Sequence, residues 1–228
     1  MVKKPSAGTV HTIPLEKFYY VLLWFVRITL VLALYRSIIS ENWYVGSIVV
    51  CTLILTFLAV FIERRYTLDI PIEFEIGFIF LVYGSIFLGE LRGYYATFWW
   101  WDLALHTLTG AMIGLVGFLA LVVLSRRKNL NAAPGMIALF AFSLAAASGG
   151  IWEIFEFCMD QAFGLNMQKS GLVDTMGDMM VNNLGALFSS LIGYIYLKSG
   201  EVSLLNTFIQ RFKKENPVIA QDVSKTRS

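Results

Sequence analysis

The side chains able to do chemistry in this 228-residue chain lie at helical spacing in or at the edges of apolar stretches. Asp102 and His106 are four residues apart. Glu153 and Glu156 are three apart, with Asp160 seven beyond Glu153, and Asp174, Asp178 and Asn182 follow at intervals of four. Residues three, four and seven apart share a face of an α-helix, so each set makes one stripe. Carboxylates, an imidazole and an amide oxygen are mostly hard ligands, suited to Mg²⁺, Mn²⁺ or Ca²⁺, with Zn²⁺ or Fe²⁺ accommodated through His106. Several carboxylates facing one cavity also repel one another, and a divalent cation relieves that repulsion directly. The expected metal ligands are Asp102, His106, Glu153, Glu156, Asp174 and Asp178. Glu153 and Glu156 are in addition the candidates for a general base.

Plainer roles compete for some of these positions. Asp174 before Thr175, and Asp102 near the start of its helix, suit N-caps. Asp160 and Glu41 fit headgroup exposure, although Asp160 falls at a helix C-terminus, where negative charge is disfavoured. Capping cannot account for His106, Glu153, Glu156 and Asp178, which lie a turn or more inside. An ionised side chain near the middle of a spanning helix costs roughly 2.5–3.5 kcal/mol even on insertion scales, so these groups are expected to face a shared interior. Arg27, also inside a span, is expected to pair with Glu73 or Glu75, and Glu90 with Arg92 at the rim of the third span. His11 is expected to be solvated.

The elements that must position these stripes are membrane spans. The chain is 57% hydrophobic and 15% charged, far from the roughly 25% charged residues of a soluble domain. About 20 apolar residues cross the hydrocarbon core, and six stretches qualify: Phe18–Ile38, Val45–Ile62, Ile72–Leu91, Trp99–Leu124, Gly135–Phe157 and Thr175–Leu197. The expected fold is an all-α polytopic bundle, with a six-helix transmembrane domain over 17–198 and polar tails at 1–16 and 199–228. The first span is too long for a signal-peptide core and is read as retained.

Lys and Arg set the orientation. Lys3, Lys4, Lys17, Arg64, Arg65, Arg126, Arg127, Lys128, Lys198, Arg211, Lys213, Lys214, Lys225 and Arg227 fall on one side of the alternating loops, and only Arg36, Arg92 and Lys169 on the other. Both ends are therefore expected in the cytoplasm and the acid stripes near the outer face of a cell inner membrane. Trp99, Trp100 and Trp101 then sit at the outer interface, where indole rings prefer to lie. Gly110-x3-Gly114 and Gly185-x3-Ser189-x3-Gly193 lay small residues along helix stripes that permit close contact. Cys51, within an apolar run, reads as a small packing residue, and no cysteine spacing suggests a disulfide or metal framework. The basic stretch at Arg211, Lys213 and Lys214 is too short for a nucleic-acid surface, and the bilayer is the expected partner.

Around the acids, Trp101-Asp102-x3-His106-x3-Gly110, Trp152-Glu153-x2-Glu156 and Asp174-Thr175-x2-Asp178-Met179 leading to Gly185-Ala186 resemble the YjdF-like family of small multi-pass bacterial inner-membrane proteins. The resemblance runs over roughly residues 15–200. It implies a helical bundle with a shared polar site at Asp102, His106, Glu153, Glu156, Asp174 and Asp178, and implies no activity. Asp160 and Asn182 lie outside those motifs and rest on spacing alone.

Three functions stay open on the sequence. The first is a divalent-metal-dependent enzyme acting on a lipid or envelope intermediate; GxSxG and HExxH are missing, and two histidines cannot make a three-histidine site. The second is a cation- or proton-coupled transporter, although the acids are skewed to one face and no internal repeat is visible. The third is a non-catalytic assembly protein whose acids stabilise the bundle.

Overall fold

The computed structural model describes residues 12–66, 69–127 and 132–199. Of the expected tails, residues 1–11, His11 among them, and 200–228 with their basic residues lie outside the described residues, whereas residues 12–16 belong to α1 and Ser199 to α8. Among the described residues the chain is helical throughout: α1 (Thr12–Ile39), α2 (Trp43–Leu55), α3 (Leu58–Tyr66), α4 (Ile72–Val82) continued by a π-helical segment (Tyr83–Leu91), the single turn α5 (Tyr94–Thr97), α6 (Trp101–Arg127), α7 (Pro134–Phe163) and α8 (Leu172–Ser199). Six helical runs are long and apolar enough to cross a membrane: Leu15–Ile39, Trp43–Arg65, Ile72–Leu91, Trp101–Ser125, Pro134–Phe163 and Leu172–Ser199. Each matches an expected span, with ends moved by a few residues.

The helices pack in two groups. Tyr19, Leu23, Val26 and Leu30 form one face of α1 and bury against Val49 of α2, Ile79 of α4 and Phe87 of the π-helical segment. On the other side α6, α7 and α8 all touch one another, with Phe118, Val122, Ile137 and Ala141 at their centre. Most remaining apolar side chains point outward, as in a bundle solvated by lipid.

Backbone approach is closest between α6 and α8, and the small-residue stripes are its cause. A Cβ on Gly110 would strike the Asn182 carbonyl, and one on Gly185 would strike that of Thr107. Only glycine lets the two backbones lie this near.

The second span keeps its expected place and length, but its helix is interrupted: α2 ends at Leu55 and α3 begins at Leu58. Three expectations are corrected. Arg27 does not pair with Glu73 or Glu75; its guanidinium donates to Thr56 Oγ1 at 3.3 Å and to the Thr56 carbonyl at 3.1 Å, and lies 3.9 Å from the Phe57 ring centroid. A break in mid-membrane leaves backbone groups that lipid cannot satisfy, and Arg27 answers them. Glu90 and Arg92 make no ion pair, and the Arg92 guanidinium lies 5.5 Å from the Phe87 ring instead. Cys51 is exposed on α2 and is not a buried packing residue. Trp99 and Trp100 are exposed, whereas Trp101 is buried and donates its indole N–H to the Gly84 carbonyl at 3.1 Å. That bond ties α6 to the π-helical segment.

Candidate functional site

The three stripes meet at one end of the second helix group, where α6 and α8 begin and α7 ends. The imidazole of His106 is the hub. Its Nε2 lies 3.6 Å from Asp102 Oδ1 and 3.9 Å from Asp178 Oδ2, and its Nδ1 lies 3.9 Å from Glu153 Oε1. These spacings are too long for hydrogen bonds. Ligand atoms of Asp102, His106 and Asp178 all fall within 4.8 Å of one another. Atoms around a single cation bound at roughly 2.0–2.6 Å stand about 3–5 Å apart, so the group has the spacing of a coordination shell.

Burial makes this arrangement unusual. Glu153 is 4% exposed and Asp178 2%. Both oxygens of Glu153, Oδ2 of Asp174 and Oδ2 of Asp178 are buried and accept no hydrogen bond. Buried carboxylates in that condition are costly unless a counter-charge or proton is supplied. Glu156 is better provided, accepting from the Trp152 indole at 2.9 Å. Below the acids, Asn182 is wedged where a Cβ on Gly149 or Gly110 would strike it, and donates to the Ala145 carbonyl at 3.2 Å.

The expected residues therefore separate by position. Asp102, His106 and Asp178 converge, Glu153 lies against the opposite edge of the ring, and Asp174 and Glu156 stand outside the ligand-spaced group. Neither Asp102 nor Asp174 is a cap. α6 starts at Trp101 and α8 at Leu172, which puts both acids in first turns, where the helix dipole favours negative charge.

Two roles were missed from the sequence. Lys169, on the α7–α8 connection, donates to Asp102 and lies 3.9 Å from the Tyr95 ring centroid. Its backbone is left-handed, with φ +23°, which costs of order 1–3 kcal/mol for a non-glycine residue. Burial, followed by the nearby Asp102 charge, pushes the Tyr95 phenol above its ordinary value, so the ring beside Lys169 stays neutral. The signal available in the sequence was charge complementarity, since Lys169 is the one base between Asp160 and Asp174.

Asp160 is the second. It accepts from the backbone N–H of Met167 at 2.7 Å and of Gln168 at 2.9 Å, and so organises the connection that carries Lys169. Hydrogen bonds to a charged group contribute about 1.5–3 kcal/mol each. Asp160→Ala is expected to lower the thermal midpoint of purified protein by ~5–10 °C and to open residues 164–171 to proteolysis, both measurable on one preparation.

An uncharacterized protein from Thermotoga maritima is 31% identical over 114 residues, which are 48% of this chain and 58% of that relative. The chain thus spans a little over half the relative's length. No solved structure matches the chain. The predicted membrane protein family DUF2238 matches residues 19–199, which takes in most of the first spanning helix, the other five and every converging acid. On that match, and in line with the resemblance carried by its three acidic motifs, the chain belongs to the predicted membrane protein family DUF2238.

Proposed function

We propose that Asp102, His106 and Asp178 bind a divalent cation, and that the protein is a metal-dependent enzyme acting on a lipid or envelope intermediate at the outer face of the bacterial inner membrane. The reading rests on one observation: ligand atoms of Asp102, His106 and Asp178 lie within 4.8 Å of one another, and Oδ2 of Asp178 is buried without a hydrogen bond. The donor set is hard apart from one nitrogen, which favours Mg²⁺ or Mn²⁺, with Ca²⁺ and Zn²⁺ as further candidates. A cation held there would supply activation of water and polarisation of a phosphoryl or carbonyl oxygen.

The chain's own groups divide the remaining work. With Nε2 turned to the two aspartates, Nδ1 faces Glu153 Oε1 at 3.9 Å, and a shortening of that contact on cation binding would fix the tautomer and plane of the ring. Glu156, steadied by Trp152, serves as the general base. Asp174 adds negative charge at the entrance. The Lys and Arg asymmetry supports an orientation with this end of the bundle away from the cytoplasm.

Lys169 favours a second reading. In it, the protein's own ammonium neutralises the acids and the cluster only stabilises the bundle. Transport has less support, because Asn182 fills the seam between α6 and α7 one turn deeper.

Protein stripped with chelator and titrated with Mn²⁺ separates these readings. One bound Mn²⁺ per chain is expected, with stabilisation near 2.7 kcal/mol at a hundredfold excess over Kd. Lys169→Gln removes a competing cation and is expected to tighten Mn²⁺ binding. Failure to bind Mn²⁺, Mg²⁺, Ca²⁺ or Zn²⁺ at millimolar concentration, with Lys169→Gln merely destabilising, would establish the structural reading instead.

A further inference from the structure

Of the three basic residues at the acid-rich end, Lys169 belongs to the cluster and the other two line one cavity. The end of α1, the α1–α2 turn and the end of the π-helical segment border an open cavity of about 580 Å³, lined by Leu32, Arg36, Ser37, Asn42, Phe87 and Arg92 among others. That is within the range of about 300–1,000 Å³ typical of ligand pockets. Neither guanidinium pairs with a carboxylate among the described residues, and the nearest acids in sequence, Glu41 and Glu90, are exposed and unpaired with them. Asn42 uses Oδ1 to accept from the Val45 N–H at 3.1 Å, which leaves its N–H2 group to donate.

Two unpaired guanidinium groups and an amide donor suit a phosphate, which arginine binds through paired N–H groups. Leu32 and Phe87 supply an apolar wall that a free anion would not use. The cavity also lies where apolar spans end, at the depth of lipid phosphates. We propose that this cavity binds the phosphate headgroup of an anionic membrane phospholipid, clamped by Arg36 and Arg92 with Asn42 donating, and with the first acyl carbons along Leu32 and Phe87. The proposal is independent of any cation at His106.

The full chain, purified in non-ionic detergent and exposed to equal phosphatidylglycerol and phosphatidylcholine, is expected to retain phosphatidylglycerol at least ~10-fold more in native mass spectra, equivalent to about 1.4 kcal/mol. Arg36→Gln/Arg92→Gln is expected to abolish that preference, and 10 mM inorganic phosphate is expected not to displace the lipid. Leu32→Trp keeps both arginines, fills the cavity from its lipid-facing wall, and should reduce retention similarly, which covers a double variant that fails to fold. Undiminished phosphatidylglycerol in either variant overturns the site. Full displacement by inorganic phosphate overturns the lipid assignment and leaves a free-phosphate site.

Discussion

In Asp102→Asn/Asp178→Asn protein, divalent-cation affinity is expected to fall by at least ~100-fold, because two of three proposed ligands lose their charge while keeping their shape. Removing even an outer hydrogen-bond partner of a metal site commonly costs 10–100-fold, so losing two anionic ligands sets a lower bound. Stability should respond in the opposite sense. Asp178 is 2% exposed with an oxygen that accepts no hydrogen bond, and an unpaired buried charge destabilises the fold that contains it. Metal-free Asp178→Asn protein should therefore melt no lower than the metal-free parent. The double variant also loses the Asp102 partner of Lys169, and in it the Mn²⁺-dependent rise in midpoint disappears. Calorimetric titration and thermal melts on the same preparations measure both. Mn²⁺ binding that survives unchanged in the double variant would remove the metal centre from consideration.

Gly185→Val tests the scaffold beneath the cluster and carries the largest expected loss of stability. A Cβ at Gly185 would collide with the Thr107 carbonyl and approach the Ala111 nitrogen at 3.0 Å. Both are backbone atoms of α6, so no side chain can swing aside; the helices must separate. Overpacking usually costs about 1–3 kcal/mol and sometimes more, and here it also pushes apart the two helices that bring Asp102 and His106 to Asp178. A fall of at least ~10 °C in thermal midpoint, together with weakened cation binding, is expected. Gly150→Ala is the control. Nothing lies within 4 Å of a Cβ there, and alanine in a helix interior is favoured over glycine by roughly 0.5–1 kcal/mol. Equal behaviour of the two variants would show that the α6–α8 approach does not support the site.

The converging residues share one end of three adjacent helices, yet they differ in how visible they were. Asp102, His106 and Asp178 stood out because an ionisable side chain inside an apolar run is expensive wherever it points. Asp160 looked like an exposed helix-end acid because its partners, the N–H groups of Met167 and Gln168, belong to a connection whose path no periodicity describes. Lys169 was counted only as a charge on one side, since nothing local turns its ammonium towards Asp102. Arg27 was rightly marked as needing a partner and assigned the wrong one. A backbone break at Thr56 leaves no mark in a continuous apolar run, and that break offers the carbonyl Arg27 binds.

What the chain determined by itself is the set of properties that depend on near neighbours: six apolar runs of spanning length, the face each polar stripe occupies, and the small residues that let α6 and α8 approach. These follow from 1.5 Å of rise and 100° of turn per residue, the same in any helix. Tertiary structure alone decided which edge of the His106 ring faces the aspartates and which faces Glu153, and that a lysine from a connecting segment reaches Asp102. Those relations join residues up to 72 positions apart. They depend on how rigid helices rotate and slide against one another, which is a property of the packed bundle that no single segment carries.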